Sequence, residues 1–125
     1  MVTADALSIS DAAQLTGLSA HTLRYYERAG LMLDPVERAP STHRRYSEGE
    51  IRWVTLLTKL RATGMPIRRI REYAELVRAG DGNEAERLAL LEGHRDAVLG
   101  QLEAMRRNLE AIEHKIELYR RRLGD

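Results

Sequence analysis

The residues whose types and spacing could do chemistry in this chain lie between positions 21 and 46. His21, Arg24, Tyr25 and Arg28 fall at i, i+3, i+4 and i+7, so a helix would place them together on one polar and aromatic face. Leu23 and Tyr26 fall on another face, suited to packing inward. A helix lying in a DNA major groove needs this division: one stripe anchored in the core, the other offering donors to phosphates and base edges. Arg44, Arg45 and Tyr46 follow as a cluster. Two guanidinium groups beside a phenol suit phosphate and sugar contacts at a groove edge. The plainer accounts of the same residues are a solvated stripe, and a charged loop with Tyr46 packed on its own domain.

Local signals supply the elements that must position these groups. Ser8-Ile9 reads as a short strand, and Ser10 as the N-cap of a helix over Asp11 to Thr16 that Gly17 ends. Ser19 caps a second helix, Ala20 to about Ala29, closed by Gly30; two short helices around a glycine-containing turn form a helix-turn-helix. Met32 to His43 reads as a loop, since Pro35 and Pro40 exclude helix, with a β-hairpin wing completed near Arg44. Ser47 and Glu50 make a capping box for a third helix, Glu48 to about Thr63, with Ile51, Val54, Leu57 and Leu60 at helical spacing. Trp53 in that helix is read as core packing. Gly64-Met65-Pro66 breaks it, and a fourth helix over Ile67 to Arg78 buries Ile67, Ile70, Ala74 and Val77.

Asn83 with Glu86 resembles another capping box, and no proline follows it. Leu88, Leu91, Val98, Leu102, Met105, Leu109, Ile112, Ile116, Tyr119 and Leu123 are spaced by alternating threes and fours, with Arg95 in one slot. That is a heptad seam and argues a coiled coil. The stretch from Leu88 to Leu123 extends roughly 50 Å as a helix. It therefore needs a partner, most simply a second copy. An antiparallel pair with its two-fold axis near Arg106 sets Glu92 opposite the partner's Arg120. A parallel pair brings Lys115 near that arginine instead, a like-charge contact.

Composition narrows the function classes. Lys and Arg outnumber Asp and Glu 12 to 9 through Gly80, and are outnumbered 8 to 10 from Asp81 on, so the basic excess sits in the front part. Arg outnumbers Lys 18 to 2, a bias that a GC-rich genome or phosphate binding would produce. With no cysteine, disulfides, thiolate metal sites and cysteine nucleophiles are excluded. Neither His94 nor His114 has a second histidine at i+3 or i+4, and no metal or cofactor is expected. No carboxylate or hydroxyl belongs to a catalytic constellation, so the chain does not read as an enzyme. No apolar run approaches the roughly 20 residues that span a membrane. The first residues carry no signal-peptide pattern, so a cytoplasmic location is the expectation.

Ile-Ser-Asp-Ala-Ala at 9–13, Thr-Gly-Leu-Ser at 16–19, His-Thr-Leu-Arg-Tyr-Tyr-Glu at 21–27, Gly-Leu at 30–31, Arg-Arg-Tyr-Ser at 44–47 and Leu-Arg-Ala-Thr-Gly-Met-Pro-Ile at 60–67 resemble the MerR family of bacterial transcription regulators. The resemblance implies a mainly α fold: a winged helix-turn-helix head, two linking helices and a long C-terminal helix forming an antiparallel coiled-coil dimer. It implies binding to a pseudo-palindrome in an overlong −35/−10 promoter spacer, which the dimer bends and untwists for RNA polymerase. By position, Arg24 and Tyr25 match the family's recognition helix, and Arg44, Arg45 and Tyr46 its wing. From Leu60 on the chain most resembles the aldehyde- and electrophile-responsive branch. Members of that branch commonly carry a cysteine where Lys59 stands here. The cysteines of the metal-sensing members are absent too, and the sequence names no effector.

The expected organisation is a DNA-binding domain with linking helices over 1–80 and a dimerisation helix over 83–125. The candidate DNA contacts are Ser19, His21, Thr22, Arg24, Tyr25, Arg28, Arg44, Arg45 and Tyr46. The candidate dimer contacts are Leu88, Leu91, Val98, Leu102, Met105, Leu109, Ile112, Ile116 and Tyr119. The expected partners are double-stranded promoter DNA, a second copy of the chain and RNA polymerase. The alternatives are a DNA-architectural accessory factor like the phage excisionases, a repressor without an effector, and a coiled-coil interaction protein that never touches DNA.

Overall fold

The computed structural model describes residues 7–33, 37–38 and 44–124. Its elements run β1 (Leu7–Ser8), α1 (Ile9–Thr16), α2 (Ala20–Arg28), β2 (Glu37–Arg38), β3 (Arg44–Tyr46), α3 (Glu48–Ala62), α4 (Ile67–Arg78) and α5 (Glu84–Arg122). The chain divides into two compact units, Met1–Leu88 and Ala89–Asp125. The fold is mainly helical, with a helix-turn-helix, short antiparallel strands beside it and a long C-terminal helix.

In the first unit, α1 and α2 form the helix-turn-helix, and α1 packs against α2, α3, β1 and β3. The sheet has three antiparallel strands in the order β1-β3-β2, with Leu7 opposite Tyr46 and Arg38 opposite Arg44. Strand β2 lies within the segment read as loop. Pro35 and Pro40 are outside the described residues. The core holds Ala12, Leu23, Leu31, Tyr46, Val54, Leu57, Met65, Ile70 and Ala74, all nearly inaccessible to solvent. Trp53 is buried as expected, stacked on Tyr73 with ring centroids 5.6 Å apart. On α4 the buried residues are Ile70, Tyr73 and Ala74, while Ile67 and Val77 are only half-buried.

Two capping expectations change. Helix α1 is capped by Ser8 rather than Ser10: the Ser8 hydroxyl accepts the Asp11 N–H at 3.1 Å. The strand ends one residue sooner and the helix begins two sooner, which buries Ile9 in the first turn. Asn83 forms no box with Glu86; its amide donates to the Leu76 carbonyl at 2.8 Å and its side-chain oxygen accepts from Arg87 Nε at 2.7 Å. Arg87 also donates to the carbonyls of Leu76 and Gly80, so the first turn of α5 is bonded to the end of α4. The Ser47–Glu50 box on α3 is present in both directions.

The second unit is the remainder of α5. Leu102, Met105, Leu109, Ile112, Ile116 and Tyr119 are all exposed in the single chain, Met105 at 66 %. Among the described residues no helix is long and apolar enough to cross a membrane.

Candidate nucleic-acid interface

Helix α2 is nine residues long and begins at Ser19, whose hydroxyl accepts the Thr22 N–H at 3.0 Å and donates to Thr22 Oγ1 at 3.0 Å. Ser19 and Thr22 are therefore engaged with each other as a cap. Beyond them, His21, Arg24, Tyr25 and Arg28 are exposed, and Leu23 and Tyr26 are buried beneath. Tyr25 is 44 % exposed, with its ring 5.9 Å from that of Tyr26. Burial pushes the Tyr26 hydroxyl above its ordinary pKa, against the opposing pull of Arg61, so it stays a neutral phenol under the stripe. The stripe thus combines two guanidinium groups, an imidazole and a phenol over an apolar base, which suits hydrogen bonding to phosphates and base edges.

The end of α2 follows from Gly30, whose φ of 76° is the left-handed conformation that L side chains rarely adopt. The Gly30 N–H bonds to the Glu27 carbonyl and the Leu31 N–H to the Tyr26 carbonyl. That is the paired pattern of a Schellman motif, with buried Leu31 against the last turn.

The three residues of the 44–46 cluster form β3. Arg44 and Arg45 lie in β3, paired with Arg38 and Glu37 of β2, in the wing hairpin. Tyr46 was expected among the DNA contacts and is corrected: it is wholly buried, and its hydroxyl donates to the Glu27 carboxylate. A phenol without accessible surface cannot touch a duplex. Its role is instead to join the wing strand to α2. Glu27 was not singled out in the sequence, and neither were Arg71 and Arg78, which donate from α4 to carbonyls just beyond α2. Their partners are 42 and 46 positions away, beyond any pattern read along the chain. Among the described residues, no group of three or more His, Asp or Glu could hold a metal ion.

Two family models match this chain: the MerR HTH family regulatory protein over residues 7–76, and the MerR DNA-binding model over residues 51–115. An uncharacterized HTH-type transcriptional regulator of Haemophilus influenzae is 36% identical over 110 residues, covering 88% of this chain and 81% of that protein. Of the solved structures, a MerR family transcriptional regulator of Listeria monocytogenes is similar with a TM-score of 0.84 and 32% identity, over 90% of this chain and 85% of that one. HiNmlR, a MerR family regulator lacking the sensor domain and crystallised bound to promoter DNA, has a TM-score of 0.81 and 34% identity, over 93% of this chain and 91% of its own.

Tyr46→Phe removes the hydroxyl and leaves the Glu27 carboxylate without that donor. Hydrogen bonds to charged groups contribute about 1.5–3 kcal/mol, so the variant is expected to melt at a lower temperature in a calorimetric scan. An unchanged Tm would show that the pair does not hold the wing strand to α2.

Proposed function

This chain belongs to the MerR family of helix-turn-helix regulators, and from that premise we propose that it works as a homodimer on a pseudo-palindromic promoter element. In this reading the element lies in an overlong spacer between the −35 and −10 sequences. The observation that carries it is the stripe of His21, Arg24, Tyr25 and Arg28, exposed over buried Leu23 and Tyr26. HiNmlR, bound to promoter DNA, supports the choice of ligand. His21, Arg24, Tyr25 and Arg28 contact the groove from α2, and Arg44 and Arg45 the backbone from the wing. Two heads related by a two-fold axis read two half-sites, and bending a site of this size costs about 1–6 kcal/mol, offset by the contacts the bend permits. RNA polymerase reads the realigned promoter, and the protein acts as a regulator rather than an enzyme.

Leu88, Leu102, Met105, Leu109, Ile112, Ile116 and Tyr119 are exposed along the seam, with Leu91 and Val98 half-buried, and this supports dimerisation through α5. An antiparallel pair with its axis near Arg106 brings that arginine close to its own copy, an unfavourable contact for a bare charge. Here the charge is not bare. Arg106 donates to Glu103 at 2.7 and 3.1 Å and also to Glu110. Glu103, ahead of Glu110, holds the guanidinium above its ordinary pKa, and Arg106 in turn lowers that of Glu103. In this arrangement two carboxylates from each copy lie beside the Arg106 pair, which supports an antiparallel dimer.

A nuclease footprint on the DNA flanking the chain's own gene, run at two salt concentrations, tests the reading. The expected result is a protected pseudo-palindrome between −35 and −10 with hypersensitive central positions. Arg24→Ala and Arg45→Ala are expected to weaken it and to flatten the log–log salt dependence by about 0.9 for each phosphate left without its guanidinium. Protection without sequence boundaries would favour an architectural factor, and no effect of either substitution a protein that does not read DNA. Separately, Leu102→Asp with Leu109→Asp places charges in the apolar seam and is expected to halve the mass seen by light scattering. An unchanged mass would remove the seam from the dimer interface.

A further inference from the structure

Four consecutive main-chain carbonyls follow the end of α2, and a side chain from another helix takes each one. The Ala29 oxygen accepts from Arg71 Nε at 3.1 Å, and the Gly30 oxygen from Arg78 Nη2 at 3.3 Å. The Leu31 oxygen accepts from Trp53 Nε1 at 2.7 Å, and the Met32 oxygen from Arg78 Nη1 at 2.9 Å. Trp53 comes from α3; Arg71 and Arg78 stand two turns apart on one face of α4. Both arginines are exposed residues that could have extended into water. They turn instead to the carbonyl end of α2, where the helix dipole is negative and a cation is favoured.

We propose that Arg71 and Arg78 are positioning residues for DNA recognition, forming a clasp that sets the angle at which α2 presents its stripe. The proposal rests on the reading of the chain as a DNA-binding regulator. At its start, α2 is held by its own Ser19 cap, which fixes the helix internally but not against the rest of the head. Along its length it is held by Leu23 and Tyr26 in the core and by Glu27 against Tyr46. At its far end, Arg71, Arg78 and Trp53 tie the carbonyls that follow it to α3 and α4. Arg28 and Tyr25 stand one and four residues before Ala29, so they are the stripe residues that the clasp places most directly. One Arg78 guanidinium spans the Gly30 and Met32 carbonyls, bracing fully buried Leu31 between them. Two nitrogens in a rigid plane suit that span; a single ammonium does not.

The test uses the full chain and a fluorescent duplex selected by the wild-type protein from a random-sequence pool. Binding by Arg71→Ala, Arg78→Ala, the double variant and the charge-keeping Arg78→Lys is measured by anisotropy across salt concentrations, well below each variant's Tm. The double variant is expected to bind about tenfold more weakly at every salt concentration, with an unchanged slope, because weaker preorganisation releases no fewer counterions. Arg78→Lys is expected to weaken binding in the same parallel fashion. In the free protein, amide hydrogen exchange at Gly30 and Leu31 is expected to accelerate. A lowered Tm with unchanged affinity would reduce the arginines to a structural role and overturn the proposal. A slope flattened by about 0.9 per arginine would mark direct phosphate contacts and overturn it equally. If the wild-type chain selects no duplex while exchange still accelerates in the variants, the DNA-binding reading itself has failed, and the proposal with it.

Discussion

The head depends on how the chain leaves α2. Between Arg28 and the wing it must reverse direction and bury Leu31 and Met32 within four residues. A left-handed Gly30 permits the reversal, and the N–H groups of Gly30 and Leu31 are used by the helix end. The carbonyls of residues 29–32 are left over. The Leu31 carbonyl is buried and that of Met32 partly so, and a buried carbonyl with no donor costs about 1–3 kcal/mol, a large share of the stability of a marginally stable domain. Trp53 and Arg78 remove that penalty, Arg71 and Arg78 bond the exposed carbonyls of Ala29 and Gly30, and together they tie α3 and α4 to the end of α2.

The parts of this architecture that were legible in the sequence are those determined within about four residues. Ser19, the Ser47–Glu50 box, Gly17 and Gly30 mark helix ends because a cap bonds to its own first or last turn. The stripe on α2 follows from periodicity, and the start of α4 from the Gly64-Met65-Pro66 break, for the same reason. The errors lie where a distant partner decides. Two serines, Ser8 and Ser10, could each have capped α1; strand pairing of Leu7 with Tyr46 holds the chain extended through Ser8 and selects it. Asn83 has the chemistry of a cap, but the carbonyl of Leu76 and the guanidinium of Arg87 claim its side chain.

Tyr46 illustrates the same limit at the candidate site. Beside Arg44 and Arg45 it carries the composition of a groove-edge contact, and composition cannot say which way a strand residue faces. In the fold it is buried and its hydroxyl meets Glu27, on a helix 19 positions earlier. The arginines of α4 were equally opaque. A long, charged side chain on an amphipathic helix ordinarily belongs to the solvated face, and only the path of the backbone after Gly30 gives Arg71 and Arg78 something to bond.

These observations share a physical cause. Helix α2, of nine residues, is far below the length at which an isolated helix holds together in water. Its stripe faces solvent, so half of its surface contributes nothing to its own folding. What fixes it must come from the other half and from its ends: two buried side chains, a carboxylate tied to the wing, a serine cap and the clasp of carbonyls. The long helix presents the opposite case. From Ala89 on, its 34 helical residues form every internal bond that periodicity demands, and its exposed ion pairs among Glu103, Arg106, Arg107 and Glu110 add little in the presence of water and salt. Its apolar seam stabilises nothing until a second surface covers it. A short helix whose exposed stripe adds nothing to its own folding is therefore held by many specific ties within one chain. A long helix complete in its own backbone bonds leaves its apolar seam exposed in the single chain.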